Sequence, residues 1–259
     1  MKILYLKYLA IHVKGLMQYK LSFFLVTTGQ FLTAFSTFLG VYFMFSRFNI
    51  VEGFNYEEAL LCYAIVTMAF SLSEMFADGF SILPRLLGNG EFDRALVRPR
   101  GAIYQVLASK MEISRAGLLI QAVIVLAYAL PRCGVVWTWD KIVTLCMMAA
   151  CGCLVFSALF LLHAAFAFFT VEGLEFMNLL TYGGKEFGRY PFSVYGKDVL
   201  RFLTYVIPLA LFQYYPLLYL LGRETGVIYM LAPLLSLLFL VPCYALFRVG
   251  LRRYRSTGS

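Results

Sequence analysis

The chain is predicted to be an all-α integral membrane protein of six spans, on three observations. Of its 259 residues 61% are hydrophobic and only 14% charged, with a mean hydropathy of +0.78, more apolar surface than a soluble domain of this size can hide. Crossing about 30 Å of hydrocarbon takes roughly 20 apolar residues as a helix, and six stretches between charges approach that length. Lys and Arg, finally, crowd into alternate connecting segments, as they do when one side of a membrane retains them.

The elements follow in order. Residues 1–19 mix Ile3, Leu4, Leu6, Leu9, Ile11 and Val13 with lysines, which suits a helix lying in the membrane interface and equally a solvated basic flank. No small-residue cleavage site precedes a polar start, so the first span, 21–46, is expected to stay in the protein. The second begins at Ala59 and meets Glu74, borrowing flanking residues to reach 76; the third, 116–133, is also short. The fourth starts at Ile142 and covers 142–168, the fifth fills 202–222 between Arg201 and Arg223, and the sixth covers 226–247. No internal repeat or long Pro/Gly-rich linker interrupts the chain, which reads as one membrane domain over 1–259.

Six spans put both termini on one side. With the termini inside, the arm, the 83–115 and 172–201 loops and the tail hold 18 basic residues, against Arg47, Arg132, Lys141 and Arg223 outside. That bias sets both termini in the cytoplasm. The net charge of +8 then reflects an inner face beside anionic lipid and calls for no nucleic acid.

Several chemistries are missing. Of the six cysteines, all but Cys133 fall inside spans and read as small packing residues, and Cys151 and Cys153 point to different helix faces, which does not make a metal site. His12 and His163 stand alone and read as structural. The nearest approach to a P-loop, Gly183-Gly184-Lys185-Glu186, has Leu179 where the first Gly belongs and Glu186 in place of the hydroxyl residue. No HExxH, no GxSxG and no carboxylate pair deep in a span is present. The chain is therefore not expected to be an enzyme or to hold a cofactor. Glu74 and Asp78, about one turn apart, read as the polar end of the second span or as a brace for the loop that follows.

That loop, LPRLLGNGEFDRALVRPR from Leu83 to Arg100, is the most distinctive segment. Gly88-Asn89-Gly90 permits positive φ and a sharp turn. Glu91, Phe92 and Asp93 then open a short helix through Val97, limited by Pro99, with acids suited to its positive end. Phe92, Leu96 and Val97 would form its apolar face, flanked by Arg94 and Arg98. Composition leaves two readings open: a knob for a groove on a partner, or a capped loop on lipid headgroups.

The lysine-rich arm, two spans, the GEFDRALVRPR loop and the later RYPFSVYGKDVLRFLTYVIPLALFQYYPLLYLLGR (Arg189 to Arg223) together resemble the small bacterial permease subunits of type-2 ATP-binding-cassette (ABC-2) exporters. The resemblance covers nearly the whole chain. It implies the ABC-2 arrangement of six transmembrane helices, with an interfacial N-terminal helix and a cytoplasmic coupling helix between spans two and three. It implies that Gly90, Glu91, Phe92, Asp93, Arg94, Leu96 and Arg98 dock on a separate ABC ATPase subunit, which carries ATP and Mg, so that none is expected on this chain. A second permease copy or sister permease, a surround of lipid in the bacterial cytoplasmic membrane, and export driven by ATP are implied with it.

For the path of substrate, Thr27, Gln30, Thr33 and Thr37 form a polar stripe on the first span, to be read as lining or as interhelical hydrogen bonding. Ala149, Cys153 and Ser157 read as a packing face. With no charge inside a span, an amphipathic, aromatic or lipid-like substrate is expected, cations over ring faces included. Pro208 and Pro216 break the fifth segment, and its second half, from Tyr214, could be the short re-entrant element that type-2 exporters carry. Alternatively the fifth crossing begins near Glu172 and leaves 189–222 outside; the higher apolarity of 202–222 favours the first placement. Two other classes stay in view: an ion-coupled secondary transporter, for which repeats and intramembrane ionisable groups are lacking, and a non-transporting membrane scaffold or immunity protein, which leaves the loop unexplained.

Overall fold

The computed structural model describes residues 2–48, 50–170 and 175–255. Every regular element among them is helical. Helix α1 (Lys2–Gln18) lies ahead of α2 (Lys20–Arg47), from which Tyr19 separates it by leaving helical geometry. A tight turn, with Val51 and Phe54 exchanging backbone hydrogen bonds of 3.1 and 2.9 Å, reverses the chain into α3 (Tyr56–Ala77). Asn55 and Glu58 form a capping box that starts α3 by satisfying amides the helix leaves free.

Helix α3 is the axis of the bundle and is buried nearly throughout. After a turn at Asp78–Phe80 come α4 (Leu83–Gly88), α5 (Phe92–Val97) and α6 (Ala102–Leu107), all short. Helix α7 (Ala116–Ala129) then returns antiparallel to α3: Arg115 meets Glu74 near one end, and Tyr63 Oη donates to Gln121 Oε1 further along. Helix α8 (Trp139–Ala167) runs parallel to α3, with Met148 in a cluster with Leu61, Phe156 edge-on to Phe70 and Ser157 Oγ 3.0 Å from Ser73 Oγ. That last contact makes the small-residue face of α8 a packing face, as expected.

Close backbone approach sets two of these crossings. A Cβ on Gly117 would stand 2.1 Å from Thr27 O, so only glycine lets α7 touch α2 there. A Cβ on Gly79 would meet Val106 O at the same 2.1 Å, which seats α6 on the end of α3.

The expected fifth span is broken. Helix α9 (Glu175–Phe187) climbs beside α3: Lys185 Nζ sits 4.9 Å from the Phe70 ring centroid, and a Cβ on Gly188 would meet Val66 Cγ1 at 2.8 Å. Segment 175–188 thus rises along the bundle and does not form a loop at the Asp78 end. Helix α10 (Lys197–Tyr205) follows a turn at Phe192–Tyr195, and α11 (Leu209–Phe212) and α12 (Tyr214–Leu220) complete the region. Helices α11 and α12 run antiparallel to α8, with the Phe212 ring edge-on to Phe156 at 5.8 Å and Tyr219 Oη donating to Asp140 at 2.7 Å. The axis of α10 bends 88° from theirs, so α10 lies across the bundle.

Helix α9 toward the Asp78 end and the short helices α11 and α12 toward the other therefore replace the single 202–222 span. They join where Gln213 Nε2 donates to Gly188 O and Tyr190 O and where Leu209 covers Gly184. Pro208 stands at the break, because proline can continue neither the hydrogen bonding nor the packing of a preceding turn. Helix α13 (Val227–Ser236) and α14 (Leu240–Arg253), joined by a single 3-10 turn, make the last crossing.

Four helical stretches are long and apolar enough to cross a membrane, Lys20–Arg47, Tyr56–Gly88, Trp139–Ala167 and Val227–Arg253, or five if the bent pair counts as one; Ile113–Ala129 is apolar but shorter. The third and fifth of six expected spans are the ones that miss that length.

Candidate functional site

The Leu83 to Arg100 segment is built as its residues dictate. Gly90 adopts a φ of 68°, the left-handed conformation that glycine favours. Helix α5 starts at Phe92 and stops at Val97, with Asp93 in its first turn and extended backbone at Arg98 ahead of Pro99.

Phe92 is fully buried, its ring 5.6 Å from Phe168 and 5.3 Å from Tyr254. Phe168 in turn meets Phe247 at 5.3 Å, and Phe247 meets Phe80 at 6.3 Å. One aromatic cluster thus ties α5 to the ends of α3, α8 and α14. The expected apolar face divides accordingly: Phe92 packs inward and anchors α5 in its own protein. Glu91, Arg94, Leu96, Val97 and Arg98 remain on the surface, Val97 at 86% exposure. Gln105 Nε2 donates to Ala95 O at 2.7 Å and to Arg100 O at 3.0 Å, latching α5 to α6.

Helix α1 lies against the same region, and so is more than a solvated flank. Tyr5 Oη donates to Phe76 O at 3.0 Å, its ring packs edge-on to Tyr104, and His12 Nε2 lies 3.3 Å from Ala108 O. A groove of about 240 Å³ runs between them, lined by Tyr8, Leu86, Glu91, Arg94, Arg98 and Ser109 among others.

The segment is pinned at its far end by charge. Asp78 pairs with Lys110 at 2.5 Å, Lys110 with Glu112 at 3.3 Å, and the Ser114 hydroxyl donates to Glu112 at 2.6 Å. Burial alone would raise the Glu112 carboxyl, but the Ser114 hydroxyl and the Lys110 ammonium hold it below its ordinary range. Burial likewise works to lower Lys110, and the hydrogen bond and charge of Asp78 outweigh it, so its ammonium is held above its ordinary value. Glu74, 1% exposed, pairs with Arg115 at 3.1 Å, and Arg115 Nη1 donates to Gln30 Oε1 at 3.0 Å. Glu74 and Asp78 therefore brace the loop. Their partners Lys110 and Arg115 were legible only as inner-side charge, although two cations five residues apart face two acids four apart.

The residues of the α2 stripe differ in what holds them. Gln30 is held by Arg115, and Thr27 lies at the α7 crossing. Thr33 and Thr37 return their hydroxyls to Gly29 O and Thr33 O of their own helix, and the Thr27 hydroxyl has no partner. The expectation on charge changes as well: α9 carries Lys185 and Glu186, and the turn after it Arg189, beside α3. Gly183 and Gly184, the remnant of a P-loop pattern, lie inside that helix. Among the described residues no group of His, Cys, Asp and Glu could hold a metal ion.

The profile of a family described as ABC-2 family transporter protein matches residues 31–258. No curated protein and no solved structure matches the chain.

Proposed function

The chain belongs to the ABC-2 transporter family and is thus a membrane permease of an ABC exporter, a component that associates with an ABC ATPase; on that premise we propose that the ATPase docks on the outward face of α5. Its contacts would be Glu91, Arg94, Leu96, Val97 and Arg98, with Gly90 setting the turn and Asp93 closing the helix start. ATP and Mg would bind on the partner. The observation that carries the reading is the division of α5: one side exposed, basic and apolar, the other fixed by Phe92 to the ends of three long helices.

The mechanism follows from that rigidity. Closing of the ATPase subunits on ATP would displace α5, and packed rings transmit displacement because such cores have little give. The ends of α3, α8 and α14 would move with it, rocking the bundle between two states. ATP shifts that equilibrium only through a difference in binding to the two states, so the docking contact must carry the difference. The basic arm, 83–115 segment and tail favour the cytoplasm for this end and for both termini, in the bacterial cytoplasmic membrane. Helix α2 exposes Phe24, Leu25, Leu32, Phe35 and Phe43, a face for lipid or for a second permease copy. Amphipathic or lipid-like compounds are the substrate class proposed.

The test is co-purification with an ABC ATPase subunit co-expressed with the chain. Arg94→Ala combined with Arg98→Ala should weaken that association about tenfold or more, since two charge-assisted contacts would be lost, while insertion and melting temperature stay unchanged. Undiminished association and ATPase activity in the double variant would remove the docking proposal.

A further inference from the structure

Helix α1 does not close on α5. The groove of about 240 Å³ between them is lined by Tyr8 from α1, by Glu91, Arg94 and Arg98 from the α5 segment, and by Leu86 and Ser109 beside it. Arg94 and Arg98 are four residues apart and both exposed, and among the described residues neither takes part in an ion pair. The neighbouring acids are engaged elsewhere: Asp78 and Glu112 pair with Lys110, and Asp93, which does not line the groove, has a partner of its own. Glu91 is the one carboxylate in the lining. Two guanidinium groups against one carboxylate leave the groove one positive charge in excess.

Its position points to lipid. Tyr5 of α1 donates to Phe76 O, and Phe76 lies about 30 Å along α3 from Tyr56 at 1.5 Å per residue, one thickness of hydrocarbon. The groove therefore stands at headgroup depth. Helix α1 exposes Ile11, Val13 and Met17 together with Lys7 and Lys14, the mixture of a helix that lies in the interface with apolar residues entering lipid. Basic pockets at such a level take anionic headgroups. The polar atoms narrow the choice. Arginine donates and never accepts, which suits a phosphate. The Ser109 hydroxyl gives its proton to Val106 O at 2.6 Å, so its oxygen, like the Glu91 carboxylate, is left to accept, which suits hydroxyl groups on the same head. One phosphodiester neutralises the excess charge, whereas a zwitterionic head leaves it in place.

We infer that the groove between α1 and α5 binds the headgroup of an anionic, hydroxyl-bearing phospholipid of the phosphatidylglycerol type, its phosphate held by Arg94 and Arg98 and its hydroxyls by Glu91 and Ser109. The inference rests on the permease reading in one respect, that α3 ends at a membrane interface here. It deepens that reading, because the same two arginines border the docking face of α5, so lipid charge and the ATPase draw on one pair of cations.

The test uses the full chain, purified in nonionic detergent without an ATPase, and two probes with identical fluorescent acyl chains, phosphatidylglycerol and phosphatidylethanolamine. Phosphatidylglycerol should bind about tenfold more tightly, the scale of a charge-assisted contact. That advantage should shrink as salt is raised, a readout that needs no variant to fold. Arg94→Gln and Arg98→Gln should each remove most of the preference with the melting temperature unchanged. Lys14→Gln and Arg252→Gln, which remove exposed cations outside the groove, should keep it. Equal binding of the two probes, or a preference that survives both arginine substitutions together, would overturn the inference. An equal loss in the Lys14 or Arg252 variant would overturn it too, by showing a diffuse attraction of the basic surface. So would displacement by glycerol 3-phosphate as effective as by unlabelled phosphatidylglycerol, which would make the groove a site for free phosphate. Because no ATPase is present, failure here leaves the docking proposal standing, and failure of docking leaves the lipid preference standing.

Discussion

At Phe92 the ring fills a pocket between Phe168 and Tyr254, so truncation acts on the fold before it acts on any partner. Phe92→Ala should cost about 3–5 kcal/mol, the range for large aromatic truncations in cores, and lower the melting temperature measured by fluorescence-detected size exclusion. Arg98→Ala, on the surface, should leave that temperature unchanged. A melting temperature unaffected by Phe92→Ala would mean the ring is not an anchor. Glycines offer a second contrast at this scale. Gly117→Ala places a Cβ 2.1 Å from Thr27 O, which must part α2 from α7, whereas Gly15 has nothing within 4 Å. Gly15→Ala should therefore stabilise α1 by about 0.8–1.0 kcal/mol through helix propensity alone, and Gly117→Ala should lower the melting temperature. The sequence made the turn at Gly90 and the helix from Phe92 to Val97 legible because both depend on local backbone preference. It could not tell which side of that helix faces inward, since Phe168 and Tyr254, which decide it, lie 76 and 162 residues further along the chain.

Among the elements, α3, α8 and the last crossing were readable because long uncharged runs leave little else for them to be. Helix α9 was not. Its charges set it second to 202–222 in apolarity, so a crossing that begins near Glu172 stood only as the alternative, and the tertiary setting, with Phe70 under Lys185 and Val66 against Gly188, shows that it runs within the bundle. Segment 110–115 was missed for a related reason: ion pairs between elements leave no periodic signal. The Glu74–Arg115 pair joins α3 to the start of α7 and, through Gln30, to α2, and removing one partner strands a buried charge. Glu74→Ala should therefore cost about 3–5 kcal/mol. Combining Glu74→Leu with Arg115→Met should cost less than the sum of the two single changes, by the coupling of residues in contact. Additive melting-temperature losses would show that the pair is not a unit.

For the whole molecule, the decisive matter is how the chain gets from α8 to α13. A single 202–222 span would keep 172–201 at the Asp78 end, with Lys185, Arg189, Lys197 and Arg201 among the basic residues of that side. The broken crossing instead carries α9 away from that end and inserts residues 188–208 halfway, with α10 lying across the bundle. Backbone that leaves a helix at membrane depth is tolerated where protein or a cavity covers it, and the covering is visible: Gln213 takes up the carbonyls of Gly188 and Tyr190. The basic bias survives the change, because the arm, the 83–115 segment and the tail alone hold 14 Lys and Arg residues. Helix α10 keeps Lys197, Asp198 and Arg201 exposed and turns Leu203 inward. If the Asp78 end faces the cytoplasm, α10 belongs to the opposite half of the bundle. Lys197→Cys, in a background with Cys133 and Cys146 changed to serine, should then react with a membrane-impermeant maleimide added to intact cells. Labelling only after permeabilisation would return 188–201 to the cytoplasmic side.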